Sequence, residues 1–225
     1  MTILSKTASP TTTTRRRDWT GVLLGCGVVA GPVYVVTSLA QALTRDGFVL
    51  YRHAWSQLAA GDLGWIQQTN LAVTGLLVAA FALGLRRALP AQRGIRRGAT
   101  LLTGFGAGML GAAFFSADPA LGFPVGTPAD YRGVSGHGAG HMVAASLGFL
   151  AVTAATVVLA RHFARQHDRN WSTWSLVAGV CFLGSFVGVA GTGSAPAVVA
   201  FTVGVVVIFT WLATLAVRVR HTRSR

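Results

Sequence analysis

Six apolar stretches, each about 20 residues long, are separated by short segments that hold nearly every ionisable group of the chain. At 1.5 Å of rise per residue a helix of that length covers about 30 Å, the thickness of a bilayer's hydrocarbon core. The stretches fall at residues 19–43, 65–85, 98–117, 137–160, 172–190 and 197–217. Only 11% of the 225 residues are charged, against about a quarter in ordinary soluble domains, and little chain is left over for a soluble domain. No sustained alternation marks membrane strands. Because lipid offers backbone groups no hydrogen-bond partner, each segment must satisfy its own amides as a helix. The expected fold is all-α: a polytopic membrane protein, a six-transmembrane-helix bundle with short loops.

The net charge of +13 would suggest nucleic acid in a soluble protein, but its distribution gives it another meaning. With the N-terminus inside, Lys6, Arg15, Arg16, Arg17, Arg86, Arg87, Arg93, Arg96, Arg97, Arg161, Arg165, Arg169, Arg218, Arg220, Arg223 and Arg225 all fall on the cytoplasmic side. Only Arg45, Arg52 and Arg132 fall outside. The positive-inside rule therefore puts both termini in the cytoplasm of a multi-pass inner (plasma) membrane protein. The arginine clusters call for anionic lipid headgroups as partners and for no nucleic acid. Residues 1–18 are too polar to bury a core and read as a basic tail, as do residues 218–225.

Arg15 to Arg17 followed by an apolar run and "LAQA" has the outline of a signal peptide, and "LLGC" at 23–26 that of a lipoprotein box. Cys26 and Cys181 lie in different spans and offer neither a disulfide framework nor a metal pair. Four glycine pairs at small-xxx-small spacing, Gly21/Gly25, Gly27/Gly31, Gly104/Gly108 and Gly184/Gly188, predict close helix contacts. Pro32 should kink the first helix and Pro196 help close the turn before the last. Trp19, Trp65, Trp171 and Trp174 near span ends suit the headgroup region.

The chemistry-bearing groups gather in the first two external connections. The first holds Arg52, His53 and Ser56; the second holds Asp118, Asp130, Arg132 and His137, with His141 one helical turn further on. Two imidazoles four residues apart share a helix face, and Asp118 could complete a three-ligand zinc site able to polarise water. A bare HxxxH lacks the glutamate of the hydrolytic HExxH motif, and three interleaved glycines could delay the helix start until His141. The structural alternative is that the histidines cap a helix end, bond to Asp118 or Asp130, and pin the loops. Asp118, followed by Pro119, should find Arg52, Arg132 or a protonated histidine as its partner. Ser56 lies three residues from His53 but lacks an oxyanion device. Neither haem nor a nucleotide cofactor is expected, since two histidines on one segment cannot face each other across a bundle. The span interiors offer Asn70, Gln67 and Gln68 but no charged relay for coupled transport.

The segments "RHAWSQLAAGDLGWIQQTNLAVTGLLVAAFALGLRR" and "GAAFFSADPALGFPVGTPADYRGVSGHGAGH" resemble the bacterial six-span membrane family catalogued as domain of unknown function 998. The resemblance runs over roughly residues 19–217, departing at Ala54, where proline often follows Arg-His, and at Gly140, where a larger apolar residue often precedes the second histidine. It implies the six-span topology, counts against cleavage of the first span, and nominates Arg52, His53, Ser56, Asn70, Asp118, His137 and His141 without assigning their work. Three functions stay open on the sequence: binding, sensing or passage of a small molecule or lipid headgroup at an outward-facing polar pocket; a metal-dependent membrane hydrolase using His137, His141 and Asp118; and a membrane scaffold. Ligand and oligomeric state are not specified by any of these residues.

Overall fold

The computed structural model describes residues 18–223. The expected tail 1–18 lies outside that range apart from Asp18, as do the last two residues of the C-terminal one. Six α-helices run in order: α1 (Trp19–Thr44), α2 (Gly64–Ala88), α3 (Arg93–Phe114), α4 (Gly136–Arg165), α5 (Arg169–Thr192) and α6 (Ala195–Arg223), with a 3-10 turn at Trp55–Ala59 between α1 and α2. Among the described residues there is no strand, only an isolated bridge between Ala120 and Phe123. Each helix packs on its neighbour in sequence, and α6 returns to α1, so the six close into a ring. Loops 45–63 and 115–135 therefore share one end, here the upper end, with the α5–α6 turn. The two short connections, residues 89–92 and 166–168, share the lower end with the arginine-bearing helix turns that flank them.

Side chains fix the helix ends. Asp18 accepts the Gly21 amide at 3.2 Å and Asp168 the Trp171 amide at 3.2 Å, each satisfying an N-terminal donor that the helix itself leaves orphaned. Asp168 also pairs with Arg218 at 2.6 Å, and Arg218 lies over the Phe163 and Trp171 rings, which ties α4, α5 and α6 together at the lower end. Gly193 closes α5 in the left-handed region, φ +56°, a conformation that costs glycine nothing. Pro196 sits in the first turn of α6, where a missing N–H is harmless. Helix α1 continues through Pro32.

Five helices are long and apolar enough to cross a membrane; α3 is the exception. It begins at Arg93, earlier than its apolar run, because helix hydrogen bonds do not require apolar side chains. It ends at Phe114 rather than Ala117, where the Phe115 amide closes the last turn on Gly111 at 2.9 Å and the chain turns extended. Arg93, Arg96 and Arg97 in its first turns lower its hydropathy, while the uncharged run 98–114 is rich in glycine and alanine. Those small residues are its packing surface. A Cβ on Gly108 would lie 2.6 Å from the Gly148 Cα, and one on Gly104 3.3 Å from the Ala151 Cβ. The backbones of α3 and α4 thus touch where a larger residue would hold them apart. Gly27 and Gly31 do the same for α1 against Phe81, Ala216 and Phe209. The other two expected pairs do not. Gly21 meets only its own cap, Asp18, and Gly25 an Arg220 side chain. Gly184 has nothing within 4 Å and Gly188 only a methyl at 4.0 Å, because α5 is buried only over Ser175, Ala178, Gly179 and Phe182. Above Phe182, its Phe186 still packs on Phe149 of α4 and Phe201 of α6, while Val187 and Ala190 are exposed.

Candidate functional site

At the upper end, loop 45–63 is pinned by side chains that bond to backbone. Arg45 donates to the Leu58 and Ala60 carbonyls while its guanidinium lies 4.8 Å from the Phe123 ring centroid of the other loop. His53 is buried, 1% exposed. Its Nδ1 accepts the Val49 amide at 2.9 Å, which assigns the ring proton to Nε2, and Nε2 donates to the Leu121 carbonyl at 3.1 Å;. Phe48 and Phe123 pack on the same ring. Burial, with the nearby Arg52 charge adding to it, pushes the His53 pKa below the usual imidazole value against the opposing Leu121 bond. Both nitrogens are committed to backbone, so His53 is a neutral staple between the loops and not a base for Ser56. Arg52 reaches across to the Ala129 carbonyl at 2.7 Å.

The second loop returns to the bundle through Asp118. Its carboxylate accepts the Ser135 amide at 2.7 Å and the Ser135 hydroxyl at 2.6 Å, while Ser135 Oγ accepts the Gly138 amide at 3.0 Å and so caps α4. The partner is a serine and a helix N-terminus, not the arginine or imidazolium expected from charge alone, because the positive end of α4 serves an anion as well. The interleaved glycines have a steric origin. A Cβ on Gly138 would sit 1.8 Å from Asp118 Oδ2, and one on Gly140 2.7 Å from the Phe115 ring. They admit those groups and do not delay the helix, which begins at Gly136.

His137 and His141 are thus both helical, yet their environments differ. His137 is exposed and meets Phe115 edge-on, at 5.8 Å between centroids. His141 is buried, and its Nδ1 lies 2.9 Å from both the Ala112 and the Phe115 carbonyls. Two acceptors assign the proton to Nδ1, so His141 caps the C-terminus of α3, where Ala112 is among the helix's last orphaned carbonyls. The imidazoles bond to backbone rather than to Asp118 or Asp130, and Asp130 and Arg132 are exposed. Asp118, with both oxygens on Ser135, does not join the histidines. Among the described residues no three His, Cys, Asp or Glu side chains come together as a metal site, so the expected zinc triad of His137, His141 and Asp118 is not assembled.

Asn70 belongs to a separate layer. Its Nδ2 donates to the Tyr34 carbonyl at 3.1 Å and lies 3.2 Å from Ser38 Oγ and Gln67 Oε1; Gln67 Oε1 also accepts from Gln41 at 2.8 Å. This buried network joins α1 to α2, as polar side chains do between helices in lipid.

Between these layers the ring of helices encloses a cavity of about 260 Å3 that draws wall residues from all six helices and from the turn at Trp55. The wall is mostly aliphatic and aromatic: Leu71, Phe105, Met109, Phe149, Phe182, Phe186, Phe201 and Ile208 among others. It contains no Arg, Lys, Asp or Glu. Polar residues are few: the upper rim supplies Trp55, Ser56 and His141, and the helix walls add Tyr34, Ser146 and Thr202. Trp55 is 6% exposed, and its Nε1 is buried without a hydrogen-bond partner. Met142 on α4 and Ala190 on α5 are wall residues that are also exposed, so the cavity wall reaches the outer surface of the bundle between α4 and α5. Of the residues nominated from sequence, the structure brings Ser56 and His141 to this cavity and gives Arg52, His53 and Asp118 to the loop staples. Sequence reasoning missed Arg45, Tyr34 and Trp55. Trp55, the one tryptophan far from any span end inside a polar loop, carried a usable signal.

No curated protein and no solved structure matches this one. A family model described as a protein of unknown function (DUF998) matches residues 28–218, from within α1 to the last turns of α6, and the chain, a multi-pass membrane protein, belongs to that family.

Proposed function

We propose that the protein is a six-span bacterial inner-membrane protein that holds a small, largely apolar molecule in the cavity between its helices, on the extracytoplasmic half of the bilayer. The sixth span is α3. Its 22 residues give about 33 Å, and it packs side by side with α2 and α4, so it must share their depth. The arginine-rich lower end is cytoplasmic by the positive-inside rule, which gives both termini to the cytoplasm and the loops of residues 45–63 and 115–135 to the outside. The arginines there meet anionic headgroups.

The observation that carries the binding reading is the cavity itself. Cavities of about 150 Å3 with apolar walls take up benzene, and this one is larger, reaches the outer surface of the bundle and has a few polar atoms at one end, the usual make-up of a ligand pocket. An outward polar pocket built from Arg52, His53, Asp118 and Arg132 has less support, because those groups bond to backbone or to Ser135, or lie exposed. The test is binding of decane to the amphipol-held protein, read as a rise in the unfolding midpoint. The rise should vanish in Ala145→Phe, which fills the cavity from α4; no rise in the parent protein refutes the reading. Topology is tested by labelling single cysteines introduced at Asp62 and Gln166 with an impermeant reagent, which should reach the first from outside and the second only after lysis.

A further inference from the structure

Resting on that cavity reading, we infer that the occupant is a neutral single-chain lipid with a hydroxyl head, its chain directed down among the phenylalanines and its hydroxyl seated at the rim formed by His141, Trp55 and Ser56. Four observations lead there. First, the wall has no charged side chain, and a carboxylate or phosphate head left unpaired in an apolar enclosure is strongly disfavoured. Second, the rim groups are complementary to an alcohol. The two carbonyls at 2.9 Å take the Nδ1 proton of His141, so Nε2 is the ring atom left to accept a hydrogen from a ligand. Trp55 Nε1 is only a donor and lacks an acceptor within the protein. A hydroxyl supplies both, giving its hydrogen to His141 and its lone pair to Trp55; an ether or ester oxygen supplies only the second.

Third, the polarity runs in the right sense. His141 is in the second turn of α4 and Trp55 and Ser56 are in the loop above α1 and α2, whereas Phe105, Phe209 and Ile208 lie several turns down their helices. In an outer leaflet the head of a lipid is likewise above its chain, so a lipid moving sideways through the α4–α5 seam arrives already oriented. Fourth, the size is that of part of one chain. Scaling from about 150 Å3 for benzene, 260 Å3 accommodates about ten carbon atoms, too few for two acyl chains.

The experiment compares 1-decanol, decyl methyl ether and decane on the full-length protein in amphipol, with affinity taken from the ligand-dependent rise of the unfolding midpoint. In the parent protein 1-decanol should bind about five- to tenfold more tightly than decyl methyl ether, the effect of one well-made hydrogen bond. His141→Asn keeps a donor where Nδ1 stood, and so preserves the cap on α3, but removes Nε2; it should abolish the preference for the alcohol over the ether. Trp55→Phe keeps the ring and removes the N–H; it should weaken both oxygen-bearing probes about fivefold and leave decane unchanged. If the ether binds as tightly as the alcohol in the parent protein, or the preference survives His141→Asn, the hydroxyl assignment is overturned while decane binding still upholds the cavity. If none of the three binds, the cavity reading is overturned as well.

Discussion

Gly138→Ala probes the junction through which the second outer loop is held to the bundle. The added methyl would lie 1.8 Å from Asp118 Oδ2 and 2.4 Å from its Cγ. Ordinary contact begins at 3.4 Å, so the carboxylate must retreat by about 1.6 Å. Its bonds to the Ser135 amide and hydroxyl, at 2.7 and 2.6 Å, would then lie beyond hydrogen-bonding distance. Each bond to a charged group contributes about 1.5 kcal/mol at the low end appropriate to a half-buried site, so losing both costs about 3 kcal/mol. Alanine in place of glycine in a helix returns up to about 1 kcal/mol. The net loss is therefore about 2 kcal/mol, measured as reversible unfolding in mixed micelles. The double-mutant cycle decides the mechanism. In an Asp118→Ala background the obstruction is gone, and Gly138→Ala should be neutral or stabilising by up to about 1 kcal/mol. An equal loss in both backgrounds would refute the steric argument.

Stability should also depend on pH through His53. Its folded pKa lies below the unfolded value of about 6.5;, so below pH 6.5 the unfolded chain binds a proton that the folded chain refuses. The His53 contribution is complete above that pH and is lost as pH falls through the window beneath it; a midpoint series from pH 8 to 5 should slope downward in the parent and flatten in His53→Gln. Gly108→Val should separate α3 from α4 and cost about 3 kcal/mol or more, whereas Gly184→Val, with open space around it, should change stability by under about 0.5 kcal/mol; equal effects in unfolding assays would show that glycine spacing alone decides. Arg45→Met removes two bonds to carbonyls and the contact with Phe123; a loss of about 2–3 kcal/mol and faster proteolysis within residues 45–63 are expected, and unchanged proteolysis would contradict its role as a staple.

The sequence by itself determined that this chain is helical and belongs in a membrane. Apolar runs of one bilayer thickness leave the backbone no other way to satisfy its amides, and solvation keeps the arginines at the ends of those runs. It also located the close contacts at Gly27, Gly31, Gly104 and Gly108. What those signals could not give is which side each residue faces. Gly184 and Gly188 have the same spacing as Gly104 and Gly108, yet α5 presents them to open space, because only the closure of the six-helix ring decides where two helices meet. His137 and His141 share a helical turn, but one is exposed and the other caps α3, since burial depends on a helix 26 residues earlier in the chain. Asp118 took Ser135 instead of an arginine because a helix N-terminus became available beside it. The cavity exists only as space between elements distant in sequence, so tertiary structure alone turned Trp55, Ser56 and His141 from scattered polar residues into one rim.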